Sequence, residues 1–170
     1  MAGLAWIGAS AQEDDGMRWE PDFRLSWSDF RGTPPQSKRI AATTASGISY
    51  NYRTSSASGG YVLDFSVDTY FYPEKSWYHK DICDSVVLNH EQLHFDISEL
   101  FARKMRRNLS GRVFGDNVRA EVRRIFAEIN SQLRDFQNRY DRETDFSRNR
   151  EAQVAWNRAI ARMLREGRYP

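Results

Sequence analysis

The sequence has little cysteine and no long apolar run, and both absences narrow what the protein can be. A single cysteine, Cys83, excludes an internal disulfide and any cysteine-rich zinc site. No apolar run approaches the roughly 20 residues that span a bilayer, so we expect no transmembrane segment. The 40% hydrophobic and 28% charged residues are typical of a folded domain rather than a disordered chain. Histidine is also scarce, with three in 170 residues.

The first residues resemble a targeting segment. A short apolar run leads to Ala9-Ser10-Ala11, a small-x-small pattern of the kind that a signal peptidase cleaves. We therefore predict that residues 1–11 are signal-peptide-like, with a flexible tail as the alternative, and that the protein is secreted or periplasmic. Residues 18–170 would then form one domain, long enough to bury a hydrophobic core.

Charge is distributed unevenly along the chain. Residues 1–100 carry 8 Lys/Arg and 14 Asp/Glu, whereas residues 101–170 carry 17 and 9. An arginine-rich half could attract anionic surfaces. The basic residues are not interleaved with aromatic residues as they are in single-strand binding surfaces, so we expect no nucleic-acid partner. A module that binds anionic surfaces remains a minor hypothesis.

The N-terminal half has the pattern of strands. Residues 23–27 (FRLSW) suggest a short strand before a turn rich in Gly and Pro. Residues 39–52 and 61–72 alternate between apolar and more polar positions, which is the period of a strand. With residues 54–60 as a loop, they predict an antiparallel hairpin.

The C-terminal half has the pattern of three helices. The first is predicted from about 84 to 108, and the second from 117 to 140 with apolar residues three and four apart. Residues 140–147 (YDRETDFS) predict a break, after which a third helix ends near Gly167. Strands followed by helices predict an α+β fold, with an antiparallel sheet and then three helices.

The first predicted helix carries the motif His-Glu-x-x-His within NHEQLHFDISEL (89–100). At about 100° per residue, His90 and His94 lie in the middle of the apolar stripe, one turn apart, where both can bind one ion. Glu91 lies at the edge of that stripe, within reach of a metal-bound water. Two imidazoles with a carboxylate base are the arrangement of a zinc hydrolase, so we predict a zincin-like active-site helix that binds zinc.

A catalytic zinc needs a third protein ligand, and the helix itself does not supply one. Asp96 and Glu99 fall on the predicted polar face and are excluded, and Glu99 is expected to pair with Arg103. The candidates that stay open lie before the helix, on the second helix or in the predicted break: His79, Glu121, Glu128, Asp141, Glu143 and Asp145.

Several blocks together resemble a bacterial family of unknown function whose members are described as candidate secreted zinc-dependent proteases. The blocks are LSWSDFRGTPP (25–35), AATTASGISYNY (41–52), HEQLHFDISELFARK (90–104) and YDRETDFSRNREAQVAWN (140–157). The resemblance implies that His90 and His94 are zinc ligands and that Glu91 is the catalytic base. The family's Trp-x-Asp-Phe block falls on Trp27, Asp29 and Phe30, which we interpret as packing and turn residues rather than catalytic ones.

The sequence departs from the family pattern in the last block. The family usually has Thr-x-His and a small residue there, whereas this chain has Thr144-Asp145-Phe146-Ser147. If that histidine is the third ligand of the family, Phe146 cannot replace it. The ligand is then Asp145, which we favour, or a glutamate of the second helix, or the site is weakened.

These features together predict a zinc-dependent peptidase that acts on peptide or protein substrates, with Glu91 as general base. We expect the edge of strand 61–72 to hold the substrate in extended form. The alternative is a catalytically weakened or inactive relative that acts as a metal-stabilised binding protein.

Overall fold

The computed structural model describes residues 7–8 and 16–170 and confirms the α+β class. The strands are β1 (Ile7–Gly8), β2 (Met17–Arg18), β3 (Ala42–Thr43), β4 (Ser46–Ala57), β5 (Gly60–Phe71) and β6 (Trp77–Tyr78). The helices are α1 (Ser85–Leu109), α2 (Val118–Thr144) and α3 (Arg150–Glu166). Apart from β1, the predicted signal-like segment 1–11 lies outside the described residues, so its cleavage stays a prediction.

A long hairpin of β4 and β5 forms the centre of a four-stranded antiparallel sheet with the order β1-β4-β5-β2. Its register pairs Tyr50 with Val67 and Ile48 with Thr69, and the apolar residues of this face enter the core. The predicted hairpin and its buried face are therefore confirmed. A second, two-stranded sheet pairs β3 with β6.

Two predicted details of the N-terminal half were wrong. Residues 54–60 are mostly strand rather than loop, because backbone pairing continues to Ala57 opposite Gly60 and leaves only a two-residue turn. Residues 23–27 form no strand. Trp27–Asp29 is a short 3₁₀ helix instead, in which Asp29 Oδ2 accepts a hydrogen bond from the backbone nitrogen of Ser26 (2.7 Å).

Helix α1 lies between the two other layers of the fold, with β4 and β5 on one side and α2 and α3 on the other. Asp84 is its N-cap residue, and the Oδ1 of Asp84 accepts hydrogen bonds from the backbone nitrogens of Val86 (2.9 Å) and Val87 (3.0 Å). Such a cap satisfies amides that the first turn leaves without partners. No helix among the described residues is long and apolar enough to cross a membrane.

The face of α1 that the sequence predicts to be polar is in fact buried. Asp96 accepts hydrogen bonds from the indole of Trp19 (2.8 Å) and from Gln92 (3.1 Å). Glu99 pairs with Arg103, as predicted, and also with Arg106. Burial raises the pKa of Asp96 above its ordinary value. The helix periodicity could not reveal this burial, because the N-terminal stretch and the sheet, which cover that face, are distant from α1 in sequence.

Candidate metal centre

His90 and His94 lie on the side of α1 that faces α2 and α3. Their Nε2 atoms are 3.3 Å apart, so both imidazoles point to one place, as the spacing predicts. The side chain of His90 is 4% exposed and that of His94 is 14% exposed. The ring of Tyr140, from α2, stacks on His90 with the ring centroids 4.5 Å apart and meets His94 edge-on. This packing fixes the orientation of both rings.

Asp141 brings a carboxylate to the two histidines. Its Oδ1 lies 2.9 Å from Nε2 of His94 and 3.1 Å from Nε2 of His90. Helix α2 continues four residues beyond its predicted end at Tyr140, which places Asp141 in the last turn of the helix. Gln137, one turn before Asp141, donates a hydrogen bond to the backbone oxygen of His94, and the neighbouring Tyr140 donates one to that of His90, so this part of α2 faces α1. The carboxylate is therefore held on a helix rather than on a loop.

The distances within this triad are within about 0.5 Å of those between the ligands of a tetrahedral zinc ion. Ligands at about 2.0–2.1 Å from a tetrahedral zinc lie about 3.3–3.4 Å from one another. The three ligand-to-ligand distances here are 2.9, 3.1 and 3.3 Å. Two neutral imidazoles and one carboxylate are also a donor set that zinc accepts in catalytic sites, where a fourth position stays open. The residues present thus fit the metal.

Gln153, from α3, fixes the tautomer of His90. The Oε1 of Gln153 lies 3.0 Å from Nδ1 of His90, and the amide nitrogen of Gln153 donates to Asn157 Oδ1 at 2.9 Å. With its oxygen turned to the imidazole, Gln153 accepts a hydrogen bond from the Nδ1–H of His90. A neutral His90 then carries its lone pair on Nε2, the atom that faces Asp141 and His94.

That arrangement makes the centre of the triad attractive to a cation. A lone pair of His90 faces a carboxylate oxygen and a second imidazole nitrogen, all within 3.3 Å. A proton on Nε2 of His94 would serve only the contact between His94 and Asp141. A metal ion would bind all three of these atoms. Second contacts such as that of Gln153 are the usual partners of metal-binding histidines.

Electrostatics inside the triad agree with this conclusion. Burial by itself would raise the pKa of Asp141, but the hydrogen bonds and charges of His90 and His94 outweigh it and hold that pKa well below its usual range. Burial would lower the pKa of His94, but the hydrogen bond with Asp141 and the charge of Glu91 outweigh it and raise that pKa. The carboxylate of Asp141 and the imidazole of His94 therefore both favour a positive charge between them.

Glu91 lies next to the triad without belonging to it. Its side chain is buried, and the carboxylate has no hydrogen-bond partner among the described residues. Glu91 lines a cleft of about 560 Å³ together with His90, His94 and Asp141. The other wall of the cleft is formed by residues 38–44, and residues 146–148 border it. The cleft is within the size range of about 300–1,000 Å³ that is typical of ligand sites.

The structure does not bring the favoured third ligand to the histidines, and it brings one of the open alternatives, Asp141, to them instead. Asp145 is the residue that ends α2, and its exposed carboxylate pairs with Arg148 (3.3 Å) rather than with the histidines. It adopts φ +46°, which turns the chain away immediately after the helix. The reason for the error is the length of α2, because the predicted break at residue 140 moved every following residue off the helix.

The remaining candidates are engaged elsewhere. Glu121 accepts a hydrogen bond from the backbone of Gly115 and pairs with Arg112. His79 lies 3.2 Å from the carbonyl oxygen of Ser37. The last two pair with arginines one turn away on α2, Glu128 with Arg124 and Glu143 with Arg139.

Sequence reasoning missed Gln153 and Tyr140 as parts of the site. Tyr140 is fully buried, and burial raises its pKa strongly, so it packs and donates to the His90 carbonyl oxygen (3.2 Å) rather than titrating. A signal for Gln153 was present. It lies on the apolar stripe of α3 with Trp156 and Ile160, and a polar residue at such a position needs a buried partner.

A protein-family model matches residues 26–149, which is most of the chain and includes His90, Glu91, His94 and Asp141. The family is described as bacterial protein of unknown function (DUF922). No curated protein and no solved structure matches the chain. The resemblance read from the sequence blocks is therefore confirmed at the level of a bacterial family of unknown function.

Proposed function

We propose, from the premise that this chain belongs to that bacterial family of unknown function, that the protein is a zinc-dependent peptidase. The observation that carries the proposal is the triad of His90, His94 and Asp141, three ligand atoms from two helices within 3.3 Å of one another. The neighbouring Glu91 has a free carboxylate in the same cleft. The triad lines that cleft, so a bound metal ion would be within reach of a substrate.

In this proposal each residue has a defined part. His90, His94 and Asp141 hold the zinc, which when bound polarises the scissile carbonyl and makes water more acidic. Glu91 accepts a proton from the attacking water, whose oxygen forms the new bond to the carbonyl carbon. Glu91 then gives that proton to the leaving amine as the carbon–nitrogen bond breaks. The products are one carboxylic acid and one amine, and transfer of the acid's proton to the amine then leaves a carboxylate and an ammonium group, so atoms and charges balance.

The residues that line the cleft favour a different position for the substrate from the one that the sequence predicts. None of residues 61–72 lines it. Residues 39–44 line it instead, and within the described part of the chain β3 pairs only with β6. We propose that the opposite edge of this segment holds an extended peptide by backbone hydrogen bonds.

Zinc titration of matched variants tests the ligand set. Asp141→Asn should weaken zinc binding by more than about 100-fold, since loss of a mere second contact already lowers affinity 10- to 100-fold. Asp145→Asn removes the same charge four residues later, outside the triad, and should leave the affinity unchanged. His90→Ala and His94→Ala should abolish stoichiometric binding. Equal effects of the two aspartate substitutions would exclude Asp141 as a ligand.

Hydrolysis of an unfolded protein such as casein tests the chemistry. Glu91→Gln should keep the zinc and lower the rate by about 10²- to 10⁴-fold, the usual contribution of a general base. Equal rates for the wild type and Glu91→Gln would mean that Glu91 is not the base. Zinc binding without hydrolysis by the wild type would favour the alternative of a metal-stabilised binding protein.

A further inference from the structure

Large apolar side chains surround the cleft although they are exposed. Ile40 and Phe146 are 53% exposed and Ile82 is 45% exposed, and all three line the cleft beside the triad. Elsewhere in the described chain, exposed large apolar residues do not share a cleft with a cluster of metal ligands. Exposed apolar residues that converge on a cleft are typical of a binding surface.

The backbone holds Phe146 in this exposed position against its own preference. Asp145, Phe146 and Ser147 have φ values of +46°, +51° and +74°, in a backbone region that residues other than glycine rarely adopt. The turn is held by a hydrogen bond from the backbone nitrogen of Phe146 to the backbone oxygen of Asp141 (2.9 Å) and by the buried Ser147. The phenyl ring consequently points away from the core and borders the cleft.

Cationic side chains also line the cleft. Lys38 is paired with Asp81, and Arg148 is paired with Asp145 at 3.3 Å between side chains that are both more than half exposed. Arg39 is exposed and has no ion-pair partner among the described residues. An exposed ion pair such as that of Arg148 is weak, so its guanidinium remains available to a ligand. Arg39 and Arg148 can therefore attract carboxylates to the cleft.

We propose that the cleft selects peptides that carry a large apolar side chain and an acidic side chain close to the scissile bond. Ile40, Ile82 and Phe146 contact the apolar side chain, and Arg39 and Arg148 attract the acidic one. This inference rests on the proposed function, because it takes the triad to be the place where the peptide is cleaved.

Binding of short peptides to zinc-loaded Glu91→Gln protein measures the selection without turnover. Four peptides of equal length combine a central Leu or Ser with Glu or Lys two positions away on both sides. Glu should be preferred to Lys by about tenfold, the sum of two weak exposed charge contacts. Leu should be preferred to Ser by about fivefold, as expected for partial burial of one apolar side chain. Hydrolysis of the same peptides by the wild type should follow the same order.

Matched variants locate each preference. The double change Arg39→Glu with Arg148→Glu should abolish or reverse the preference for Glu, whereas Arg124→Glu with Arg134→Glu, on the exposed face of α2, changes the net charge equally and should not. Phe146→Ala should lower the preference for Leu, whereas Val154→Ala, an exposed apolar residue outside the cleft, should not. Zinc content and circular dichroism establish that each variant is folded.

The possible failures can be told apart. Equal binding of the four peptides to protein that binds zinc and hydrolyses casein would overturn the selectivity and leave the proposed function standing. Equal loss of preference in the control variants would also overturn it, because the effect would then come from net charge. Absence of zinc binding, or equal hydrolysis by the wild type and Glu91→Gln, would overturn the proposed function and this inference with it.

Discussion

Gln153 decides which nitrogen of His90 is available to a metal. Its side-chain oxygen lies 3.0 Å from Nδ1, and its amide nitrogen is held by Asn157 and Tyr140. An amide held on both sides in this way cannot turn without breaking two other contacts. A residue in the third helix, 63 positions from His90 along the chain, therefore sets the chemistry of the site.

We predict that Gln153→Leu lowers zinc affinity by about 10- to 100-fold, because His90 loses the acceptor that keeps its Nδ1 protonated. Gln153→Glu keeps an acceptor and should retain most of the affinity. Gln132→Leu, at an exposed position of α2, is the control and should have no effect. Competition with a chelating indicator measures all of these affinities. An undiminished affinity in Gln153→Leu would show that Gln153 only packs.

At the scale of the element, α1 depends on its first turn. Asp84 caps the helix six residues before His90, and the hydrogen bond from the backbone nitrogen of Val87 is the largest cause that lowers the Asp84 pKa. Val86 and the charge of Arg150 add to the effect. A depressed pKa in the folded state means that the unfolded chain binds this proton more tightly. The cap therefore stabilises the protein above the ordinary Asp pKa of about 3.9 and loses this contribution as the pH falls through the lower folded-state value.

We predict that Asp84→Ala lowers the free energy of unfolding by about 1 kcal/mol at pH 7, the usual value for a lost N-cap. For a domain of this length that is a fall of roughly 2–4 °C in Tm. Asp84→Asn keeps a capping oxygen and should lose less at pH 7. Thermal unfolding followed by circular dichroism between pH 7 and pH 3 measures both variants.

The pH profile separates the charge of the cap from its hydrogen bonds. The difference in stability between the wild type and Asp84→Asn should shrink as the pH falls below about 4, because the wild-type carboxylate is then becoming protonated. A difference that stays constant over this range would show that the charge of Asp84 does not contribute.

At the scale of the whole molecule, the triad joins layers that are distant in sequence. His90 and His94 come from α1, Asp141 comes from α2, and Gln153 comes from α3. An unfolded chain does not hold these groups together, so an ion bound by the triad binds the folded state alone. Binding of this kind must stabilise the fold through mass action.

We predict that zinc raises the Tm of the wild-type protein by roughly 10 °C at a free concentration about 1,000 times its Kd. Mass action then contributes about 4 kcal/mol, and each kcal/mol raises the Tm of a domain of this length by roughly 2–4 °C. A chelator should reverse the rise. His94→Ala should show no rise, and magnesium, which prefers oxygen ligands, should have little effect on the wild type. A similar rise in His94→Ala would place the zinc elsewhere.

The sequence alone determined the features that depend on local periodicity. The alternation of Ile48, Tyr50 and Val67 predicts the buried face of the hairpin, and the helical spacing of His90 and His94 predicts that both imidazoles reach one point. Both follow from fixed backbone geometry, which repeats every two residues in a strand and every 3.6 in a helix. The fold class follows from the order of these elements.

Only the tertiary structure decided which residues complete the site. Asp141, rather than Asp145, reaches the histidines because α2 continues to Thr144, where it packs against α1 and α3. The local sequence pattern at residues 140–147 does not predict that continuation. The buried state of Asp96 and Glu99 was hidden for the same reason, since the segments that cover them come from other parts of the chain. Periodicity predicts only which face of a single helix or strand is buried. Which side chains bind a ligand or form buried ion pairs depends on contacts with segments that are distant in sequence.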